Sequence, residues 1–379
     1  MLSTHLVTEY KELSALRNEW RRLHSHALSA TIFLTWEWVI SWVEAVYPTA
    51  ELFIILVRDS DNNLIAIAPF YRTSFCLLAC QHFKTLRCLG DCHAGAEYPD
   101  VIVEKGYEEA VMHNIASFLQ QNGDIWDWAW FPNIAAWTGA GTRLQSCFCP
   151  DNLSFCLQRE KHFSSIVLPD SWDEYMGRFS RQRRSTLRRQ MKKAEQNCEI
   201  QITACDRQKD LDAFLEQLFF LHKRRWQMIG HDGAFVRQPA MVDFYRNMAP
   251  RALENGWLAL YSLKANGRVV ASQYGYIYDG VYNQIQEGFD PDGPAGSGNL
   301  LRMHVIRWCI EHNIREYDFL GGHSAHKAHW QAKKRIGYEL FLGRNCLKNS
   351  LVSKLPFWPT GRYINQGEPA FISKMDFGK

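Results

Sequence analysis

The sequence lacks the features that mark several protein classes. No apolar run approaches the roughly 18 residues of a membrane-spanning helix, and no apolar segment follows a basic start, as a secretory signal requires. The net charge of the 379 residues is only +3, which is too small for a protein that coats nucleic acid along its whole surface. We therefore expect a cytoplasmic protein without a transmembrane segment.

The eleven cysteines indicate neither a disulfide framework nor a metal centre. Their number is odd, and no C-x-x-C pair occurs. Cys88, Cys92 and His93 form C-x-x-x-C-H, and Cys147 and Cys149 form C-x-C, but zinc sites normally show tighter paired spacing and a fourth ligand. Three histidines also follow one another at intervals of three, without the i, i+4 pair of the zinc proteases; they are His323, His326 and His329. We expect reduced thiols and no bound metal.

Hydrophobic periodicity predicts two α/β lobes followed by an arm. The 46% hydrophobic content is enough to fill two cores. The predicted lobes are residues 1–155 and 160–345, separated near Cys149–Asn152, and the arm is residues 346–379. The second lobe is predicted to contain a basic helix over 172–197 and three strands joined by hairpin turns at Asn266-Gly267 and Asp279-Gly280. A strand over 338–343 is predicted to close it.

A glycine-rich loop is the clearest binding signal. Gly293, Gly296 and Gly298 form G-x-x-G-x-G directly before a helix predicted over 299–312. The N-terminus of a helix offers free N–H groups and the positive end of the helix dipole to a phosphate. The loop therefore indicates a phosphate-bearing acyl donor. An ordinary turn, with Ser297 or Asn299 capping the helix, is the alternative.

Several motifs make a more specific resemblance. They are RRSTLRRQMKKAEQ, LHKRRW, GWLAL, EGFDP, SGNLL and YDFLGG followed by a lysine and a tryptophan, with TIFLTWEW, LIAIAPF and EYPD in the first half. The chain resembles the CelD-like branch of the GNAT acyltransferases, which is associated with cellulose and polysaccharide biosynthesis and is related to the Fem-type aminoacyltransferases. One departure is His326-Lys327, because the family pattern there is Tyr-Lys.

The resemblance implies a fold and a reaction. The implied fold is α/β, of the α+β type, with two tandem GNAT-like lobes that each have a mixed, mostly antiparallel sheet flanked by helices. The implied reaction is the transfer of an acetyl or other acyl group from acyl-CoA to an amine. The expected acceptor is a small molecule or a glycan precursor. The alternatives are a Fem-type transferase that uses aminoacyl-tRNA and a non-catalytic binding protein.

Candidate binding residues follow from the matched motifs. The donor is expected to lie against the strand and the loop that form the phosphate site, at Gln286, Gly288, Phe289, Gly296, Ser297, Gly298 and Asn299. The acceptor pocket is expected to include Arg225, Trp226, Gln273 and Trp330.

Five side chains are candidates for the chemistry. Asp318 on its short strand is either a general base or half of a structural ion pair with a nearby cation, such as Lys327. Glu287 is a second candidate base and Tyr282 a candidate acid, unless they form ordinary cross-strand polar pairs. Lys327 can bind an acidic group, and His326 can shuttle protons near neutral pH.

The helix over 178–193 is unusually one-sided in charge. It carries eight Arg or Lys residues, and the first acid after them is Glu195. Its partner can be the 3′-phosphate of coenzyme A, an anionic acceptor or membrane surface, or tRNA. The absence of interleaved aromatic residues counts against RNA. The oligomeric state stays open.

Overall fold

The computed structural model describes residues 2–45, 51–77, 81–92, 94–148 and 153–352. These residues form two compact units, one within 1–43, 47–162 and 336–379 and the other within 44–46 and 163–335. The predicted boundary at Cys149–Asn152, His93 of the cysteine cluster and most of the predicted arm lie outside the described residues.

The first unit is a mixed sheet with helices. Its strands are β1 (Ser3–Val7), β2 (Glu51–Arg58), β3 (Leu64–Leu77), β4 (Gln81–Cys88), β5 (Ile102–Val103), β6 (Trp128–Ala135), the first ten residues of β7 (Leu153–Val167) and most of β13 (Lys333–Arg344). Its helices are α1 (Tyr10–Ala15), α2 (Arg17–His26), α3 (Trp36–Ala45, up to residue 43), α4 (Glu108–Gln121), α5 (Ala140–Ser146) and α13 (Leu347–Val352).

Strand β13 belongs largely to this first unit, whereas the sequence analysis placed its residues in the second lobe. It runs antiparallel to β6, with Gly337 opposite Ala135 and Gly343 opposite Trp128. Leu340 and Leu342 are fully buried in the core of the first unit. Alternate residues of a strand face the same side of its sheet, so Leu340 and Leu342 both point into this core. Their burial explains why most of β13 belongs to the first unit.

The second unit repeats the same kind of architecture. Its strands are the end of β7, β8 (Ile200–Ala204), β9 (Leu258–Ala265), β10 (Arg268–Tyr278), β11 (Val281–Phe289), β12 (Glu316–Gly321) and the first residues of β13. Its helices are α6 (Trp172–Gly177), α7 (Arg181–Asn197), α8 (Leu211–Gln227), α9 (Ala234–Arg237), α10 (Ala240–Glu254), α11 (Ser297–Glu311) and α12 (Ala325–Ala328).

Within the described residues, each unit has a parallel pair of strands beside antiparallel pairs. In the first unit β4 runs parallel to β6, and the intervening chain includes α4. In the second unit β11 runs parallel to β12, and the intervening chain includes α11. Parallel neighbours need such a crossover. The predicted class, mixed α/β with largely antiparallel sheets flanked by helices, is confirmed.

The two predicted hairpin turns of the second unit are confirmed. Asn266 and Gly267 have φ of 50° and 78°, and Asp279 and Gly280 have φ of 44° and 68°. Two consecutive positive φ angles are the mark of a type I′ turn, which matches the twist of the strands it joins. These turns set the register of β9, β10 and β11, and thereby the position of the strand that leads into the glycine loop.

The basic segment forms two helices rather than one. Helix α6 begins at a cap in which the Ser171 hydroxyl accepts from the N–H of Glu174. The Ser180 hydroxyl accepts from the N–H of Arg183 at 3.2 Å, which favours a second helix start. Within the described residues no helix is long and apolar enough to cross a bilayer.

Gly288 allows α8 to lie directly on β11. A Cβ at this position would come within 2.3 Å of the backbone nitrogen of His222 and 2.5 Å of the carbonyl carbon of Leu221. Backbone atoms of a packed helix cannot move aside as the end of a side chain can. The structure therefore gives Gly288 a packing role, apart from the donor contact that the sequence predicted.

We expect Gly288→Ala to lower the free energy of unfolding by about 3 kcal/mol, the upper part of the usual range for overpacking. The matched control is Gly177→Ala at the end of α6, where an added Cβ meets nothing within 4 Å and Ala is a better helix former than Gly. Urea unfolding measures both variants. Equal stability of the two variants would show that α8 and β11 are not in close contact.

Candidate active site

A cavity of about 470 Å³ opens in the second unit, beside the glycine loop. Eight of the predicted site residues line it: Arg225, Glu287, Phe289, Gly296, Ser297, Gly298, Asn299 and His326. Residues that the sequence analysis did not single out also line it, among them Met228, Ile229, Asp290 and Arg302. The cavity therefore joins the expected phosphate site to a group of ionisable side chains.

The start of α11 forms one wall of the cavity. Gly296 precedes the helix with φ of 86°, a conformation that glycine adopts without strain. Both the N–H and the hydroxyl of Ser297 donate to the carbonyl of Pro294, at 3.1 and 2.5 Å. Ser297 thus neither caps the helix nor offers its N–H to a ligand, which corrects the sequence expectation. The next N–H groups, of Gly298 and Asn299, lie at the open end of the helix.

The corresponding helix of the first unit is closed to anions. Helix α4 has Glu108 and Glu109 in its first turn, and the Glu108 carboxylate accepts from the N–H of Gly106 at 2.9 Å. Helix α11 has no acid in its first turn. A carboxylate at a helix N-terminus occupies the position that an anionic ligand would take. The difference favours α11 as the anion site.

A compact charge cluster forms the second wall. Arg225 donates to one oxygen of Glu287 at 2.7 Å, and Arg302 donates to the other. Burial alone would raise the pKa of the Glu287 carboxyl, but the charges of Arg302 and Arg225 lower it to about 2. A carboxylate with so low a pKa accepts protons poorly, so the geometry does not favour the predicted role of Glu287 as general base.

Arg302 also fixes the state of His326. Its guanidinium lies 3.0 Å from Nε2 of the ring. Since a guanidinium can only donate, Nε2 accepts, and in the neutral ring Nδ1 carries the proton. Burial, followed by the charge of Arg302, lowers the pKa of His326 from its ordinary 6.5. The ring therefore lines the cavity as a neutral hydrogen-bond donor.

A hydrogen-bond chain leads from this cluster into the core. Gln284 donates to Glu287 at 3.0 Å and accepts from the Tyr317 hydroxyl at 2.7 Å. Gln273 donates to Tyr317 at 2.7 Å and to Tyr282 at 2.9 Å. A continuous chain of this kind holds the charge cluster in one arrangement.

Tyr282 and Gln273 do not line the cavity. Both are buried. Burial, together with the neighbouring Tyr317, raises the pKa of Tyr282 well above its ordinary value. The structure thus gives these two residues a positioning role, in place of the acid and acceptor-binding roles that the sequence predicted.

Asp318 and Lys327 stabilise a turn rather than line the cavity. The Lys327 ammonium lies within hydrogen-bond distance of four successive carbonyls, including that of Phe319 at 2.8 Å and that of Gly322 at 3.1 Å, and its three N–H groups are shared among them. The Asp318 carboxylate accepts from the N–H of Leu320 at 2.7 Å, a residue with φ of 60°. This arrangement supports a structural role for Asp318, through a backbone hydrogen bond in the turn; the ion pair that the sequence predicted stays a prediction.

Three further predicted binding residues pack elsewhere. Trp226 donates to Nε2 of His222 at 3.0 Å. Trp330 is 1% exposed, with the Arg302 guanidinium 5.5 Å from its ring. Gln286 lies opposite Tyr274 of β10, and alternation along β11 places it on the face away from Glu287. None of the three lines the cavity.

Arg302 is the residue that sequence reasoning missed. It is only 2% exposed and stands one helical turn after Gly298. A sequence signal existed, because Arg302 is an isolated charge in LLRMHVI, on a helix whose neighbouring apolar residues pack into the core. Within the described part of the chain, no group of three His, Cys, Asp or Glu residues could hold a metal ion.

Comparison with known proteins identifies the domain that holds this site. Residues 181–328, from α7 to α12, match the acetyltransferase (GNAT) domain model. The chain contains a GNAT-type acetyltransferase domain. The protein is accordingly an acyltransferase, and the match includes the whole lining of the cavity. The finer CelD-like assignment stays a prediction.

Solved structures share the fold along most of the chain. FemX superposes with a TM-score of 0.59 at 12% identity, over 93% of this chain and 100% of FemX. The C-terminal domain of a provisionally named lysylphosphatidylglycerol synthetase from Agrobacterium fabrum superposes with a TM-score of 0.52 at 12% identity, over 90% of this chain and 95% of that domain. A conserved protein of unknown function from Bacteroides thetaiotaomicron superposes with a TM-score of 0.52 at 11% identity, over 91% of this chain and 100% of that protein. No curated protein matches in sequence. These likenesses show the fold alone.

Proposed function

We propose that the protein transfers an acyl group from acyl-CoA to an amine, in the cavity between the start of α11 and the Arg225–Glu287–Arg302 cluster. The observation that carries the proposal is that one cavity joins an anion-receptive helix end to a neutral histidine held by a buried arginine. Phosphate binding and carbonyl polarisation are the two tasks that such a donor demands.

The residues at the start of α11 fit the phosphates of coenzyme A. Gly298 has no side-chain carbon, and a Cβ at this position would lie 3.3 Å from the Phe289 ring. The open N–H groups and the absence of acid in the first turn suit an anion. Bound there, acyl-CoA would supply the activated acyl group, and the protein would supply its orientation.

The charge cluster supports a polarising role for His326. Arg302 keeps Nε2 unprotonated, so Nδ1–H can donate to an acyl oxygen as negative charge develops on it. Donors of this kind are typically worth 10²- to 10³-fold in turnover. Both carboxylates that line the cavity are held by arginines, Glu287 as described above and Asp290 by Arg224 at 3.0 Å. We therefore propose that the acceptor amine loses its proton to solvent as its nitrogen bonds the acyl carbon. The thioester C–S bond breaks in exchange, and coenzyme A leaves as a thiolate that takes a proton from solvent.

The proposed acceptor is an amine on a small molecule or on an envelope glycan precursor, as the CelD-like resemblance implies. A second candidate is transfer from aminoacyl-tRNA, which the similarity to FemX favours. Titration calorimetry of the protein with coenzyme A and acetyl-CoA separates the two. Micromolar binding supports the acyl-CoA proposal, whereas no binding of either ligand rejects it in favour of the second candidate.

We expect the His326 imidazole to titrate below 6.5 and to be neutral, with the proton on Nδ1, above that pKa. The pKa is lowered because burial and the charge of Arg302 both disfavour the protonated, cationic ring. Nitrogen-detected NMR of labelled histidine measures the pKa and the tautomer together, and His326→Gln assigns the signal. Titration above 6.5, or protonation at Nε2 in the neutral ring, would contradict the proposed role.

A further inference from the structure

The outer face of α7 is a cationic stripe. Four side chains recur at intervals of three and four residues, which places them on one side of a helix: Arg181, Arg184, Arg188 and Lys192. At 1.5 Å per residue the stripe is about 16 Å long. Arg184 is partly exposed and the other three are exposed.

None of these four cations is neutralised within the part of the chain that the structure describes. Each lacks a side-chain hydrogen bond or ion pair there, whereas Arg178, just before the helix, pairs with Glu174 at 3.2 Å. Helix α7 contains seven basic residues and one acidic residue, which gives it a net charge of +6. Because the net charge of the whole chain is +3, all the other residues together have a net charge of −3. Such an asymmetry orients a molecule in an electric field.

The opposite face of α7 is fixed to the second unit. Leu187 is 1% exposed in its core, and the Arg183 guanidinium lies 5.8 Å from the ring of Trp330. The helix is therefore held along its inner side and presents only its outer face to a partner.

We propose that this stripe binds the surface of an anionic lipid bilayer. A straight line of cations on a docked helix can meet a flat, negatively charged surface at all four positions at once. RNA is less well matched, because the outer face carries no aromatic side chain for base stacking and the major groove of A-form RNA is too narrow for a helix. The proposal concerns the surface alone and is independent of the proposed reaction.

Each basic residue near an anionic bilayer typically contributes about a fivefold gain in partitioning. We therefore expect the wild-type protein to bind vesicles of equal parts phosphatidylglycerol and phosphatidylcholine, and not vesicles of phosphatidylcholine alone. Binding should weaken with added salt as the surface charge is screened. Sedimentation with vesicles measures the partition coefficient.

The test variant is Arg184→Gln with Arg188→Gln, which should partition about 25-fold more weakly, two cations at about fivefold each. The control is Lys209→Gln with Lys333→Gln, which removes the same charge from exposed sites outside α7 and should partition like the wild type. Unfolding curves confirm that both variants fold. Equal binding to both vesicle types, unchanged binding of the α7 variant, or salt-sensitive binding to folded RNA without vesicle binding would overturn the proposal.

Discussion

Gly298→Asp is expected to weaken coenzyme A binding by at least about a hundredfold while leaving the protein folded. The new carboxylate would stand in the first turn of α11, where it would repel a phosphate; two like charges about 4 Å apart near a protein surface interact by about 4 kcal/mol. An acid in this turn is otherwise favourable to the helix. Calorimetry and an unfolding curve therefore report opposite effects on binding and on stability.

Gly298→Ala is the matched control for that variant. It adds the same Cβ, 3.3 Å from the Phe289 ring, without the charge. We expect it to bind coenzyme A within about tenfold of the wild type, since a shift of a few tenths of an ångström in one ring costs about 1 kcal/mol. If Ala and Asp weaken binding equally, crowding rather than charge is responsible, and the anion site is not at α11.

Glu287→Gln is expected to lower turnover by at least about a hundredfold and the free energy of unfolding by about 3 kcal/mol. The substitution keeps the shape of the side chain but leaves the buried Arg302 without its anion, and breaking such a pair typically costs about 3–5 kcal/mol. It also releases Arg302 from the position in which it holds His326. Turnover and urea unfolding measure the two effects.

The pH dependence of the free energy of unfolding tests whether Glu287→Gln destabilises the protein by removing the Glu287 charge. The pKa of Glu287 is lowered in the folded state to about 2, so its contribution is fully present above the ordinary pKa of 4.5 and is lost as pH falls towards 2. The difference in stability between wild type and Glu287→Gln should shrink over this range. Glu216→Gln, in an exposed pair with Arg246, is the control and should change stability by less than about 1 kcal/mol. A difference that does not vary with pH would contradict the charge cluster.

Local sequence signals were sufficient for the hairpins and for the glycine loop. Asn266-Gly267 and Asp279-Gly280 are residue pairs that accept two positive φ angles, so both turns could be placed without tertiary information. The loop before α11 was recognisable for the same reason. These features determine β9, β10, β11 and the start of α11. The end of β11, the loop after it and the start of α11 form much of the cavity.

The charge cluster could not be placed from local signals. Glu287 and Arg302 are 15 residues apart, and their pairing depends on how α11 packs against β11. For Asp318 on its short strand the sequence left both a general base and a structural ion pair open, and the hydrogen bond from the N–H of Leu320 shows a structural role in the turn. The placement of β13 depended on its partner β6, about 200 residues earlier, and no local pattern encodes such a pairing.

The most direct test of the account is release of free thiol from acetyl-CoA by the wild-type protein, measured with a panel of amino sugars and other primary amines and compared with aminoacyl-tRNA as donor. The account predicts amine-dependent thiol release that Glu287→Gln loses and Glu216→Gln keeps. No amine-dependent release with acetyl-CoA or longer acyl-CoA thioesters, together with transfer from aminoacyl-tRNA, would contradict it.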